Sequence, residues 1–213
     1  MKKVILGVIP ARGGSKGIPR KNLKGLLGRP LIWWSIQAAK ESKRLDEFIV
    51  STEDEEIASL ARNFGAEVLI RPAHLASDES ILTDVLQDIL KKIKANIVVL
   101  LVPTSPIRVD NIIDRAIELF LEKDVDSLAT GYMCKYSEWG TVSEIPRQKK
   151  QGFFIADGCV YIHKAEVILN GNWYGKKLEK MIVPRYYNFD IDDEADFWAV
   201  EGILTNLLKK VKK

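Results

Sequence analysis

A chain of 213 residues with 46% hydrophobic side chains can bury one α/β core, and two cysteines, Cys134 and Cys159, make no disulfide framework. The formal charge of +3 hides an asymmetry, because residues 1–40 hold nine cations and no acid while the remainder holds 23 cations against 29 acids. A nucleic-acid binder would spread its cations over a face with aromatics between them. Here they crowd one glycine turn, which points to a small polyanion, and no run reaches the ~18 apolar residues of a membrane span. The expectation is a single domain over residues 1–213, reduced and cytoplasmic, with neither a nucleic-acid nor a membrane partner. The apolar start is too short for a signal segment and runs into Pro10 and Arg12.

Residues 3–9 read as a buried β-strand, and the sequence then runs Pro10-Ala11-Arg12-Gly13-Gly14-Ser15-Lys16-Gly17-Ile18-Pro19-Arg20-Lys21-Asn22. Glycines let a backbone turn and bring its N–H groups close to a ligand, and the interleaved cations add charge-assisted hydrogen bonds. A polyphosphate needs both. The spacing matches neither a Walker A loop nor a dinucleotide fingerprint, and neither of those needs four cations in the turn. Pro30 stands at a first helical position, with Leu31, Trp34, Ser35 and Ala38 following at helical spacing. Further strands are predicted at 47–51, 67–70, 96–102, 127–131, 158–163 and 180–184, with a short one at 186–189. Helices are predicted at 54–64, opened by a Thr52–Glu55 capping box, at 110–121 and at 194–208, where Phe197, Val200, Leu204 and Leu207 share a face. The alternation argues a mostly parallel sheet covered on both sides, with ligands beyond the strands' carboxyl ends. Residues 132–156 break the rhythm and read as a protrusion or long hairpin.

Three segments besides the loop carry chemistry. Asp190 and Asp192, two apart on an extended stretch, project to one side and form an oxygen-rich pair suited to Mg²⁺; Asp193 and Glu194 read as acids at the start of the last helix. For Asp192 both readings, metal ligand and cap, stay open. Residues 103–108, Pro-Thr-Ser-Pro-Ile-Arg, follow a buried strand and are either site residues, with Thr104 and Ser105 at their centre, or a stiff turn. Residues 71–78, Arg-Pro-Ala-His-Leu-Ala-Ser-Asp, follow another strand. His74 and His163, the two histidines, have no partner at zinc spacing and read as ordinary surface or packing residues.

Together the 9–22 block, Arg71-Pro72 with Leu75-Ala76-Ser77-Asp78, the 100–108 segment and Phe189-Asp190-Ile191-Asp192 resemble the acylneuraminate cytidylyltransferase family, the CMP-sugar-acid synthetases, over nearly the whole chain. The resemblance implies a three-layer α/β/α Rossmann-like nucleotide-diphospho-sugar transferase fold, dependence on Mg²⁺ or Mn²⁺, and a homodimer whose 132–156 protrusion walls the partner's sugar pocket. It implies that Arg12, Ser15, Lys16 and Lys21 hold the triphosphate of CTP, with Arg12, Lys16 and Lys21 assisting the reaction. Ala11, Gly13, Asn22, Arg71 and Ser80 would contact the rest of the nucleotide, and Asp190 and Asp192 would hold the metal. Thr104, Ser105, Lys135, Arg147 and Asp157 would face the sugar acid, whose anomeric hydroxyl attacks the α-phosphorus and releases pyrophosphate. Many relatives have glutamine where this chain has Val102 and arginine where it has Ile155, both sugar-side positions. Either Lys135, Arg147 or Lys149 then pairs with the acceptor's carboxylate, or the acceptor is not sialic acid. Two other readings stand beside this one: a nucleotidyltransferase of the same fold using another NTP, such as GTP, with a sugar phosphate, and a non-catalytic nucleotide binder.

Overall fold

A computed structural model describes residues 3–141 and 145–211. Its strands are β1 (Ile5–Pro10), β2 (Gly25–Leu26), β3 (Arg29–Pro30), β4 (Glu47–Thr52), β5 (Glu67–Ile70), β6 (Ile97–Leu100), β7 (Ser127–Cys134), β8 (Phe153–Lys164) and β9 (Leu178–Ile182). Its α-helices are α1 (Leu31–Glu41), α2 (Glu55–Asn63), α3 (Leu82–Lys92), α4 (Ile112–Lys123), α5 (Ala165–Leu169) and α6 (Glu194–Val211). Seven strands form one sheet in the order β5-β4-β1-β6-β8-β7-β9, with β2 and β3 a separate hairpin. The pairings β5–β4, β4–β1, β1–β6 and β7–β9 are parallel, and β8 runs against both β6 and β7.

Alternate side chains of the central strands feed two cores. Ile5, Ile9, Val50 and Val99 pack with Ile36 of α1, Ile57 of α2, Ile117 and Phe120 of α4, and Phe197, Val200 and Leu204 of α6. Leu6, Val8, Val98 and Leu100 face the other way, onto Val85, Leu86 and Ile89 of α3 and Ile168 of α5. The strands are therefore apolar on both faces, as the sequence predicts for a buried parallel sheet, and the three-layer α/β/α arrangement is as expected. From β1 the chain goes to β4 and β5 on one side, then crosses by α3 to β6 on the other. That reversal opens a crevice beyond the carboxyl ends of β1 and β6.

Several expected elements differ. The Thr52–Glu55 box does not form: Asp54 is the cap, its Oδ1 accepting from the Ile57 N–H at 2.9 Å, while the Thr52 hydroxyl accepts from the Asp54 N–H. Pro30 is not in α1 but closes the β2–β3 hairpin opposite Gly25, one residue before the helix. In place of a strand at 186–189 there is a 3₁₀ turn, Arg185–Tyr187, because Pro184 supplies no N–H and Tyr187 buries its ring while its hydroxyl donates to the Val109 carbonyl at 3.0 Å. Helix α4 starts two residues later than predicted, since Asp110 and Asn111 both adopt left-handed backbone. The helix α3 has no capping side chain before it and so no start signal in the sequence. The described parts of the 132–156 segment, 132–141 and 145–156, belong to the outer part of the β7–β8 hairpin, with pairing from Gly131–Ala156 to Cys134–Phe153 beyond an irregularity at Ala129–Gly131, while 142–144 lie outside the described residues. Among the described residues no helix is long and apolar enough to cross a membrane, and both thiols are buried, that of Cys159 donating to the Ile107 carbonyl at 3.4 Å.

Candidate active site

Loops from the carboxyl ends of β1, β5 and β6, with the segment before α6, enclose a cleft of about 440 Å³. The loop after β1 is pressed between two elements. A Cβ at Gly13 would lie 2.4 Å from Asp54 Oδ2, and one at Gly17 would lie 2.2 Å from the Asp192 carbonyl oxygen. Only glycine allows approaches that close. The loop's four cations have separate fates. Arg20, in left-handed backbone, pairs with Asp54 and Glu56 at the start of α2 and anchors the loop from outside the cleft. Arg12 Nη1 and Lys16 Nζ each reach 2.8 Å from an oxygen of Asp78 on the opposite wall. Lys21 is nearly buried; its ammonium donates to the Ile191 carbonyl and lies 3.7 Å from Asp192 Oδ1. Lys16 first, then Arg12, holds the Asp78 carboxyl below the usual carboxylate range.

On the β5 side, Arg71 is buried, with its Nε and Nη2 3.1 and 3.0 Å from Glu53 Oε2. The 3₁₀ turn Ala73–Ala76 then presents Ser77 and Ser80, whose hydroxyls bond each other at 2.9 Å. Asn22 faces the same space, its side-chain amide held by the Arg12 carbonyl at 2.9 Å. The segment before α6 docks onto the loop after β6 through the Ile191 N–H, which donates to the Thr104 carbonyl at 2.8 Å, while the Ile191 side chain is fully buried. This places Asp190 against the Thr104 and Ser105 hydroxyls, Ser105 Oγ donating at 3.2 Å. The Asp190 residue is solvent-accessible overall, but its carboxyl is crowded by protein atoms. That desolvation, with the like charge of Asp192, raises its pKa against the downward pull of the two hydroxyls. Asp193 caps α6, accepting from the Ala195 and Asp196 N–H groups, and Glu194 pairs with Lys24.

The structure therefore brings Arg12, Ser15, Lys16, Lys21, Asn22, Arg71, Ser80, Thr104 and Asp192 to one cleft. Ala11 is fully buried beneath it, and Gly13 supplies backbone only, its N–H donating to Glu53 Oε1 at 2.6 Å. Ser105 stands behind Thr104 on Asp190. Lys135 and Arg147 sit on the β7–β8 hairpin instead, Lys135 Nζ donating to the Gln148 carbonyl at 3.2 Å and Arg147 lying 5.8 Å from the Tyr136 ring centroid. Asp157 lies on β8, its side chain outside the described set. Val102 lines the cleft, whereas Ile155 pairs with Tyr132 in the hairpin. Arg108 is committed to structure: its guanidinium donates to the Cys159 carbonyl (2.7 Å), Ser35 Oγ (2.9 Å) and the Val102 carbonyl (2.9 Å). In the sequence Glu53 reads only as an acid near a helix start, and Asp78 stands in a motif that does not reveal its two partners, Arg12 and Lys16. Among the described residues no three His, Cys, Asp or Glu side chains gather as a metal cluster. Asp192 lines the cleft, whereas Asp190 is outside its lining, against Thr104 and Ser105; the two carboxylates could hold a hard cation whose remaining ligands come from phosphate oxygens and water, the usual habit of Mg²⁺.

A family model described as cytidylyltransferase matches residues 6–148. The chain is 32% identical over 222 residues to post-translational flagellin modification protein B of Campylobacter coli, covering 94% of each chain. It is 32% identical to the CMP-N,N'-diacetyllegionaminic acid synthase of Campylobacter jejuni, covering 94% of this chain and 95% of that protein. It is 29% identical to the N-acylneuraminate cytidylyltransferase of Escherichia coli, over 92% of this chain but 51% of the relative, so it spans about half the length of that protein. A CMP:2-keto-3-deoxy-manno-octonic acid synthetase solved with CTP superposes with a TM-score of 0.74 at 15% identity, covering 95% of this chain and 99% of that one. At that identity the likeness concerns the fold.

Proposed function

The chain belongs to the cytidylyltransferase family, and from that premise we propose that it transfers CMP from CTP to the anomeric hydroxyl of a nonulosonic or related sugar acid, releasing pyrophosphate. The observation that carries the reading is the placement of Arg12, Lys16 and Lys21 on one wall of a cleft whose other walls carry Arg71 and Asp192. Such a transfer needs alignment of the attacking oxygen with the α-phosphorus and stabilisation of the charge that spreads onto the leaving group; it needs no protein nucleophile. Arg12 and Lys16, once released from Asp78, bind the β- and γ-phosphates. Lys21, fixed by the Ile191 carbonyl, holds a charge at the α–β bridge where the leaving group's charge develops. Arg71 and Asn22, both restrained by hydrogen bonds, orient the nucleoside end. Asp190 and Asp192 would hold Mg²⁺ or Mn²⁺, which when bound neutralises phosphate oxygens as a Lewis acid.

The protein works as a homodimer in this reading, with the β7–β8 hairpin of one subunit beside the partner's cleft. Exposed Met133 and Phe153, 39% and 56% accessible, support that role for the hairpin. Lys135 and Arg147 then meet the acceptor's carboxylate in the partner's cleft, replacing what Val102 and Ile155 cannot supply. The test is pyrophosphate release with each of four NTPs, crossed with nonulosonic acids, keto-octonic acids and sugar phosphates. Turnover is expected with CTP and a sugar acid. Turnover of another pair with none from CTP overturns the reading, and CTP binding without any turnover makes the protein a nucleotide binder.

A further inference from the structure

We propose that Glu53 is a positioning residue that locks the phosphate loop to the nucleoside-side arginine, fixing the distance between the two halves of the cleft. Glu53 is not on the cleft surface; it stands behind it, at the turn between β4 and α2. Its two oxygens are divided between two walls. Oε1 accepts from the Gly13 N–H at 2.6 Å, and Oε2 accepts from Arg71 Nε and Nη2 at 3.1 and 3.0 Å. Both partners are shielded, the Arg71 side chain being 4% accessible and that of Glu53 19%. A buried guanidinium held by one carboxylate keeps a single orientation, and losing that carboxylate leaves its charge unpaired. The neighbouring Asp54 repeats the arrangement at the loop's other end, capping α2 while pairing with Arg20. The dipeptide Glu53-Asp54 thus holds the loop at Gly13 and Arg20, and only Glu53 also reaches the opposite wall. Gly13 is glycine because the loop must lie within contact of this dipeptide.

The inference rests on the cytidylyl reading for the identity of the nucleotide, and on geometry for the rest. Its test is calorimetric binding of two fragments to the full chain: tripolyphosphate, which the loop takes, and CMP, which also needs Arg71. Glu53→Gln keeps a carbonyl acceptor for the Gly13 N–H but loses the charge that pairs with Arg71. It should weaken CMP about tenfold and leave tripolyphosphate within about twofold. In turnover it should raise KM for CTP while kcat holds, the mark of lost uniform binding. Glu53→Ala frees both walls and should weaken both fragments, whereas Glu53→Asp restores the charge and should recover part of the CMP affinity. Fragment affinities unchanged in Glu53→Ala overturn the proposal. Equal losses of both fragments in Glu53→Gln, tracking a lower Tm, also overturn it, since Glu53 would then be supporting the fold alone. If Glu53→Ala does not fold, the Glu53→Gln ratio decides. A wild-type chain that takes tripolyphosphate but not CMP refutes the cytidylyl reading, and Glu53→Ala against tripolyphosphate then decides the loop half.

Discussion

Replacing Lys21 by methionine keeps the length and most of the volume of the side chain and deletes its charge, separating what this residue does for folding from what it does for the reaction. On the folding side, the change removes one charge-assisted hydrogen bond, to the Ile191 carbonyl, worth about 1.5–3 kcal/mol. It also removes an attraction to Asp192 Oδ1 at 3.7 Å, which for a carboxylate 86% accessible stays near the water limit of about 1 kcal/mol. Relief from burying an ammonium offsets part of this, so a net loss of about 1–2 kcal/mol is expected, a fall in Tm of about 2–8 °C for a chain of this size. On the reaction side, a fixed cation aimed at charge that develops during transfer is worth about 3 kcal/mol, or roughly 10²-fold in kcat. The assay is single-turnover pyrophosphate release at saturating CTP and acceptor, at a temperature where circular dichroism shows both proteins folded. A variant with reduced Tm and wild-type kcat refutes the argument, and Lys21 is then a structural brace.

The remaining expectations are these. Asp192→Asn should lower kcat by about 10²-fold and raise the Mg²⁺ concentration for half-maximal rate, with CTP affinity changed far less; activity that survives both the substitution and EDTA removes the metal assignment. Arg108→Ala, which deletes three hydrogen bonds from one guanidinium, should cost about 3 kcal/mol in urea denaturation; a raised KM for the acceptor with unchanged stability would place Arg108 in the sugar pocket instead. Burial pushes the His163 imidazole down to about 4 from 6.5, so the unfolded chain takes up this proton first as pH falls. Its contribution is complete above about pH 6.5 and lost toward pH 4, and the stability-versus-pH curve of His163→Gln should be flatter across that window; parallel curves contradict the assignment.

The fold was readable because β1, β4 and β6 are apolar on both faces, which only a covered sheet explains, and because glycines and cations at the end of β1 mark a ligand turn in any context. Helix α3 was harder to read. Ile81 offers no capping side chain, so its apolar face was not framed by a start signal. Arg20 and Arg108 looked like site cations and are structural, since whether a cation faces a ligand or an acid depends on neighbours far along the chain: Asp54 for Arg20, Ser35 for Arg108. Glu53 was illegible for the same reason, its two partners lying 40 and 18 positions away with no local pattern joining them.

Asp78 has a bearing on selectivity. With one carboxylate spanning Arg12 and Lys16, the loop is not a bare cationic surface equally open to every anion in solution. A chloride or a lone orthophosphate must compete for two cations that are already neutralised in part, at no gain in the number of contacts. A triphosphate brings several oxygens at fixed spacing and can replace both pairings while engaging Lys21 as well. The internal acid thus tilts the loop modestly against single-charge anions, by no more than exposed ion pairs are worth, and raised ionic strength should shrink that bias.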